Sequence, residues 1–278
     1  MKSPIKRYPP VGFCIYCGSS HGKLADEHII PEALGGTTIL PKSSCKDCEK
    51  ITTKFECKVA RFMYGNFRIK LDYPSKRKKQ KKRPTELPVH VVDNKKTRQE
   101  IHVPISDYPL TYLTAELPPP GLLLGIAPSD RSPEIKFNIK GDAASVNHTF
   151  DALSVDHLII EHGFDWVAFF KQLAKIGHCS TFHFARGMGY ESLLPDIILG
   201  KSDHLSYYVG GISQDSKSEV MSVNEVNIYM QEINSEIYLV ARIQLLGKGT
   251  IPAYEVVTGR VPDLDVFFTA QTESKNAI

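Results

Sequence analysis

Two Cys-x-x-Cys pairs, Cys14-Ile15-Tyr16-Cys17 and Cys45-Lys46-Asp47-Cys48, constrain the first fifty residues more than any other feature. Thiolates favour soft or borderline ions, and four of them suit tetrahedral zinc. Each x-x spacing lets two sulfurs reach one ion from a turn or from the start of a helix. The expectation is a zinc site of Cys14, Cys17, Cys45 and Cys48. It is structural rather than catalytic, because four protein ligands leave no open position for water. A redox use of the pairs fits less well, since thioredoxin-like sites carry a single pair in a strand–helix context.

Cys57 and Cys179 have no such partner. The segment Met1-Lys2-Ser3-Pro4-Ile5-Lys6-Arg7 is charged and no apolar stretch follows it, so no secretory leader is expected. Reduced thiols in a cytoplasmic compartment fit this pattern. Hydrophobic content of 42% with 23% charged residues belongs to a globular chain. No run of about 18 apolar residues occurs, which argues against a membrane span.

Charge is divided unevenly. Residues 1–83 hold 19 Lys and Arg against 7 Asp and Glu, a net of +12, whereas residues 84–278 hold 15 against 24, a net of −9. A basic N-terminal third points to nucleic acid at that end. The run Lys76-Arg77-Lys78-Lys79-Gln80-Lys81-Lys82-Arg83 cannot fold on itself and reads as a linker or arm. Lys78, Lys79, Lys81 and Lys82 are candidates for phosphate contact.

The chain reads as α+β. Residues 1–75 form a small metal-bound module, 76–86 a basic linker and 87–278 a mixed α+β accessory region, regulatory or oligomerising. In the first part, Gly35-Gly36 marks a turn between short extended pieces. Ile51, Phe55, Val59, Phe62 and Met63 recur at helical spacing from Cys45 to Tyr64, with Ser44 as a plausible N-cap. Further on, short strands are expected across 87–140 and one buried strand at Leu122–Ile126. Helices are expected at Trp166–Ile176 and, interrupted by Pro195, at Tyr190–Leu199. Strands follow at Leu205–Ile212, Glu225–Gln231, Glu236–Leu246 and Ile251–Val257, the last two closed by a turn at Lys248-Gly249. His178 is expected at the end of the Trp166–Ile176 helix.

Between the cysteine pairs lies Asp26-Glu27-His28-Ile29-Ile30-Pro31, followed by Leu34-Gly35-Gly36. An acid beside a histidine can hold a metal and activate water. The order Cys-x-x-Cys, acid-His-Ile-Ile-Pro, Gly-Gly, Cys-x-x-Cys and helix resembles the HNH endonuclease family in its zinc-stabilised ββα-metal form, over roughly residues 13–64. The resemblance implies hydrolysis of DNA phosphodiesters with one divalent ion, Mg²⁺ or Mn²⁺. It makes His28 the general base and Glu27 an ion ligand, with Asp26 the spare acid. A residue on the helix completes the metal site. The position after Cys48, often Asn or His in the family, is Glu49, still an oxygen donor and a candidate ion ligand. The family's usual Asn five residues before the third cysteine falls on Leu40, which cannot orient a histidine. Glu56 lies two turns from Glu49, about 10 Å along the axis, and is expected to pair with a neighbouring amide or cation. Phosphate grip is expected from Lys42, Lys46, Lys50, Lys54, Lys58 and Arg61.

The leading expectation is therefore a metal-dependent DNA endonuclease. Two others stand beside it: a zinc-ribbon nucleic-acid-binding protein without catalysis, and an effector nuclease silent until a protein or ligand engages its C-terminal region. A homo-oligomer fits either nuclease reading.

Overall fold

A computed structural model of the protein describes residues 4–73, 84–92, 97–155, 157–212, 224–245 and 252–276. The basic positions Lys78, Lys79, Lys81 and Lys82 and the expected turn Lys248-Gly249 lie outside them.

Strands β1 (Lys6–Arg7), β2 (Leu24–His28) and β3 (Thr38–Cys45) form a sheet in the order β1-β3-β2, with β1 parallel and β2 antiparallel to β3. β3 runs directly into α1 (Lys46–Lys58), which continues as a π-helical turn over Val59–Met63 and then α2 (Gly65–Lys70). The order strand, strand, helix is the expected one. Phe55, Val59 and Met63 bury their side chains, while Phe62 is exposed. Ser44 does not cap the helix. Cys45 occupies the capping position with extended backbone, and the Ser44 hydroxyl donates to the Cys45 carbonyl at 3.4 Å. The link between β2 and β3 is a tight turn at Glu32–Leu34. A Cβ at Gly36 would stand 1.8 Å from the carbonyl oxygen of Ile30, so only glycine lets the chain pass there.

The middle of the chain forms two small sheets. β4 (Glu86–Val92), β5 (Arg98–Pro104) and β8 (Leu158–Ile159) lie in the order β5-β4-β8, and β6 (Thr111–Glu116) pairs with β7 (Lys136–Gly141). Helix α3 (Ala143–Leu153) is capped by the Asp142 carboxylate, which accepts from the Ala144 and Ser145 amides. Leu122–Ile126 is a run of turns rather than a strand: Leu123 donates back to Pro120 and Ile126 to Gly121. The preceding three prolines supply no amide for a ladder.

The C-terminal part is built on α4 (Trp166–Ala185), then β9 (Glu191–Ser192), α5 (Pro195–Leu199), α6 (Leu205–Tyr208), β10 (Val209–Gly211), β11 (Glu225–Ile233), β12 (Glu236–Gln244), β13 (Tyr254–Val261) and α7 (Leu264–Asn276). Its sheet runs β10-β13-β12-β11, with β9 on β13. Three expectations change here. Pro195 opens a short helix instead of interrupting a longer one, because its missing N–H is not needed in a first turn. Leu205–Ile212 begins as one helical turn and becomes strand only at Val209. Helix α4 continues well past Ile176, so His178 is an interior residue.

Fourteen of the twenty residues of α4 are buried, as expected of a helix packed on several sides. Phe169, Phe170, Leu173 and Ile176 join one continuous core. It includes Leu34, Leu40, Phe55 and Phe67 of the N-terminal module and Ile243, Tyr254 and Val256 of the large sheet. A Cβ at Gly177 would lie 3.0 to 3.2 Å from Thr258 and Val256, so this glycine sets the close approach of α4 to the sheet. The N-terminal module is thus packed against the accessory region, with α4 between it and the large sheet. Among the described residues no helix is long and apolar enough to cross a membrane.

Candidate active site and zinc centre

The four cysteines converge. Cys14 and Cys17 sit on a knuckle closed by the Gly18 amide, which donates to the Cys14 carbonyl at 2.8 Å. Cys45 ends β3 and Cys48 lies in the first turn of α1. Their sulfurs all lie within 4.8 Å of one another, and Cys17 and Cys45 are 3.7 Å apart. Tetrahedral zinc with bonds of about 2.3 Å sets its sulfurs about 3.8 Å apart, so this donor set fits structural zinc. Cys57 and Cys179 stand outside the cluster.

Beside this centre lies a cleft of about 630 Å³ between the end of β2 and α1. Asp26, Glu27, His28 and Glu32 line it from the strand and turn, and Glu49, Thr52, Thr53 and Glu56 from the helix. Its carboxylates and one imidazole are hard or borderline donors, suited to Mg²⁺ or Mn²⁺. Glu49 is exposed at the N-terminal end of α1. Leu40 pairs in register with Glu27 and is buried, leaving no polar group at that position. Asp26 lines the cleft but is already engaged: it is ion-paired to Arg7 and accepts from the Lys42 amide at 3.2 Å. Slight burial works against its ionisation, but the Lys42 amide and Arg7 outweigh that and hold its carboxyl below the usual range.

Glu27 is buried, and Lys175 of α4 lies directly against it. The Lys175 ammonium is 2.8 Å from Glu27 and 2.9 Å from Glu56. It also donates to the His28 carbonyl and lies 3.5 Å from the Ile29 carbonyl. Lys175 is wholly buried, and burial opposes its charge. The charges of Glu27 and Glu56 overcome that and raise its pKa. The ammonium is therefore charged; burial, with Glu56 adding to it, still holds the Glu27 carboxyl above the usual range, and the Lys175 charge lessens that rise. Glu56 thus pairs with a cation, and that cation comes from the far part of the chain.

Two further residues of α4 reach the zinc knuckle. His178 Nε2 is 2.9 Å from the Ile15 carbonyl and its Nδ1 is 3.0 Å from the Ser192 hydroxyl. A carbonyl only accepts, so Nε2 carries the proton and Nδ1 accepts from Ser192. Burial lowers the pKa of His178 to about 4, which keeps it neutral. Cys179 lies 3.5 Å from the Tyr16 hydroxyl, and burial pushes its thiol up to about 12. Sequence reasoning did not find Lys175, His178 or Cys179 as a set. Their spacing of three and four residues within an apolar helix was the available signal.

The basic residues of α1 do not form one surface. At about 100° per residue, Lys46 points about 60° and Lys50 about 100° from the direction of Glu49, and Lys58 points opposite. Lys50 pairs with Asp47 at 2.9 Å, and Lys58 pairs with Asp165 at the start of α4. Lys42, Lys46 and Lys54 are exposed. Arg61 lines the cleft with Arg68, which donates to the carbonyls of Ala33 and Ala60 and so ties the β2–β3 turn to the helix.

Residues 14–60 match the family model described as HNH endonuclease. The match takes in all four cysteines, β2, β3 and α1, so the chain carries an HNH endonuclease domain at its N-terminus. No curated protein and no solved structure matches the chain.

Proposed function

We propose that the protein is a metal-dependent endonuclease that hydrolyses DNA phosphodiester bonds in the cleft between β2 and α1, with His28 as general base. The observation that carries this reading is the placement of His28 at the end of β2, facing acidic α1 and beside a four-thiolate centre. A neutral imidazole takes the proton of a water attacking phosphorus. Glu49 from the helix and Glu27 from the strand would hold the divalent ion. Such an ion neutralises phosphate charge and steadies the leaving oxygen. Because Lys175 holds one face of Glu27, Glu49 is the more accessible of the two. Arg61 lines the cleft, and Lys46 and Lys50 project from α1 within about 100° of Glu49; these three would meet the DNA backbone.

A second reading, a zinc-stabilised DNA-binding protein without catalysis, rests on Leu40, which puts an apolar group beside Glu27. Cleavage of supercoiled plasmid with Mg²⁺ or Mn²⁺, wild type beside His28→Ala, separates them. Nicked or linear product from the wild type alone, with zinc retained in both, supports the nuclease and its base. Product from both removes His28 from the chemistry. Salt-sensitive binding with no product from either favours the second reading.

A further inference from the structure

Lys175 cannot touch DNA, since it is fully buried, yet among the described residues its ammonium makes its polar contacts to oxygens of the N-terminal module alone. Two of those oxygens are carboxylates. The other two are the peptide carbonyls of His28 and Ile29, where β2 ends. On the opposite side, the Ile29 amide donates to the Thr38 carbonyl of β3 at 3.0 Å. The backbone carrying His28 is therefore gripped by β3 from one side and by α4 from the other.

A buried ammonium is a costly way to fill a core, and an apolar side chain of similar volume serves packing at least as well. What the ammonium adds is direction, because it fixes oxygens that a methyl group leaves unpaired. The same face of α4 holds Ile15 through His178 and Tyr16 through Cys179. One helix thus fixes both the zinc knuckle and the reactive end of β2.

We propose that Lys175 is a positioning residue of the nuclease centre, supplied by α4 to fix the Glu27 carboxylate and the peptide carbonyl of His28. This rests on the nuclease reading above. It makes the centre composite: the N-terminal module carries the reacting groups, and the C-terminal region sets their geometry.

The test uses the full-length chain with Lys175→Met and the double variant Lys175→Met/Glu56→Gln. The single variant leaves the buried Glu27 and partly buried Glu56 carboxylates facing each other without a counter-charge and is prone to misfold. The double variant keeps the net charge of the cluster and removes that repulsion. Plasmid nicking is followed over a range of DNA concentrations, with zinc content measured alongside. The His28 ring signal is recorded by NMR, identified by its loss in His28→Ala. The expected result is a fall in kcat of about 100-fold with KM nearly unchanged, the cost of displacing a reacting group by about an ångström. The His28 signal is displaced while zinc stays bound. A double variant with wild-type kcat and an unmoved His28 signal overturns the proposal, as does a loss confined to KM. If the wild type itself cuts no DNA, the nuclease reading fails. The His28 signal then still decides whether Lys175 positions that residue.

Discussion

His178 Nε2 lies 2.9 Å from the carbonyl oxygen of Ile15, joining the middle of α4 to the zinc knuckle. Nε2 donates to that carbonyl and Nδ1 accepts from the Ser192 hydroxyl, an arrangement that holds the buried imidazole neutral. Burial lowers the pKa of His178 to about 4 in the folded protein, against about 6.5 in an unfolded chain. Below pH 6.5 the unfolded state takes up a proton that the folded state refuses, so stability is full above that pH. It falls as pH drops from about 6.5 to about 4, by an amount on the order of 3 kcal/mol from this one group. Urea unfolding at a series of pH values measures the loss. His178→Gln, which keeps a donor near the Ile15 carbonyl and cannot titrate, flattens the slope across that window. An equally steep slope in the variant assigns it to other groups.

Zinc content gives a second expectation. Cys14 and Cys48 are buried ligands, whereas Cys57 and Cys179 stand apart from the cluster. One zinc per chain is expected, with Cys48→Ser losing it and Cys57→Ser keeping it. Structural zinc supplies folding free energy directly, so Cys48→Ser also lowers the melting temperature sharply. Colorimetric zinc release and calorimetry on the three proteins check this. Full zinc occupancy in Cys48→Ser disproves the four-cysteine site.

The N-terminal module and the large sheet share a core through α4, which predicts that they unfold together. Phe170 is fully buried and belongs to that core, and Phe170→Ala costs about 3 to 5 kcal/mol. Zinc release and loss of far-UV circular dichroism coincide in the wild type, and in Phe170→Ala both shift to lower urea together. A zinc module that melts separately contradicts the shared core.

What the sequence made legible was local. The cysteine spacing, the acid-His pair and the apolar periodicity of α1 each lie within a few residues. The strand, strand, helix order followed from them. Lys175, His178 and Cys179 were not legible because their partners, Glu27, Ile15 and Tyr16, are distant in sequence, and one sequence carries no record of that pairing. The misplaced end of the helix at Ile176 hid His178 and Cys179 further, since a histidine at a helix end needs no explanation. A lysine and a histidine inside a helix apolar on most faces do need one, because a buried polar group requires partners. Leu122–Ile126 failed for the opposite reason: four apolar residues and a glycine read as a strand, and the prolines before them dictated turns.

The lysines of α1 separate by direction, which gives the last prediction. Lys46 is exposed on the side of α1 toward the cleft, while Lys58 points away and pairs with Asp165. Asp165 also accepts from the Ala168 amide at 2.8 Å and so caps α4. If DNA lies along the cleft, Lys46→Ala weakens binding and reduces the slope of log affinity against log salt by about 1, one phosphate contact fewer. Lys58→Ala leaves that slope unchanged and reads out as stability, by less than about 1 kcal/mol for an exposed pair. Fluorescence anisotropy with a labelled duplex across salt concentrations, beside urea unfolding of both variants, distinguishes the two roles. An equal loss of salt slope in both places DNA around the whole helix and away from the cleft.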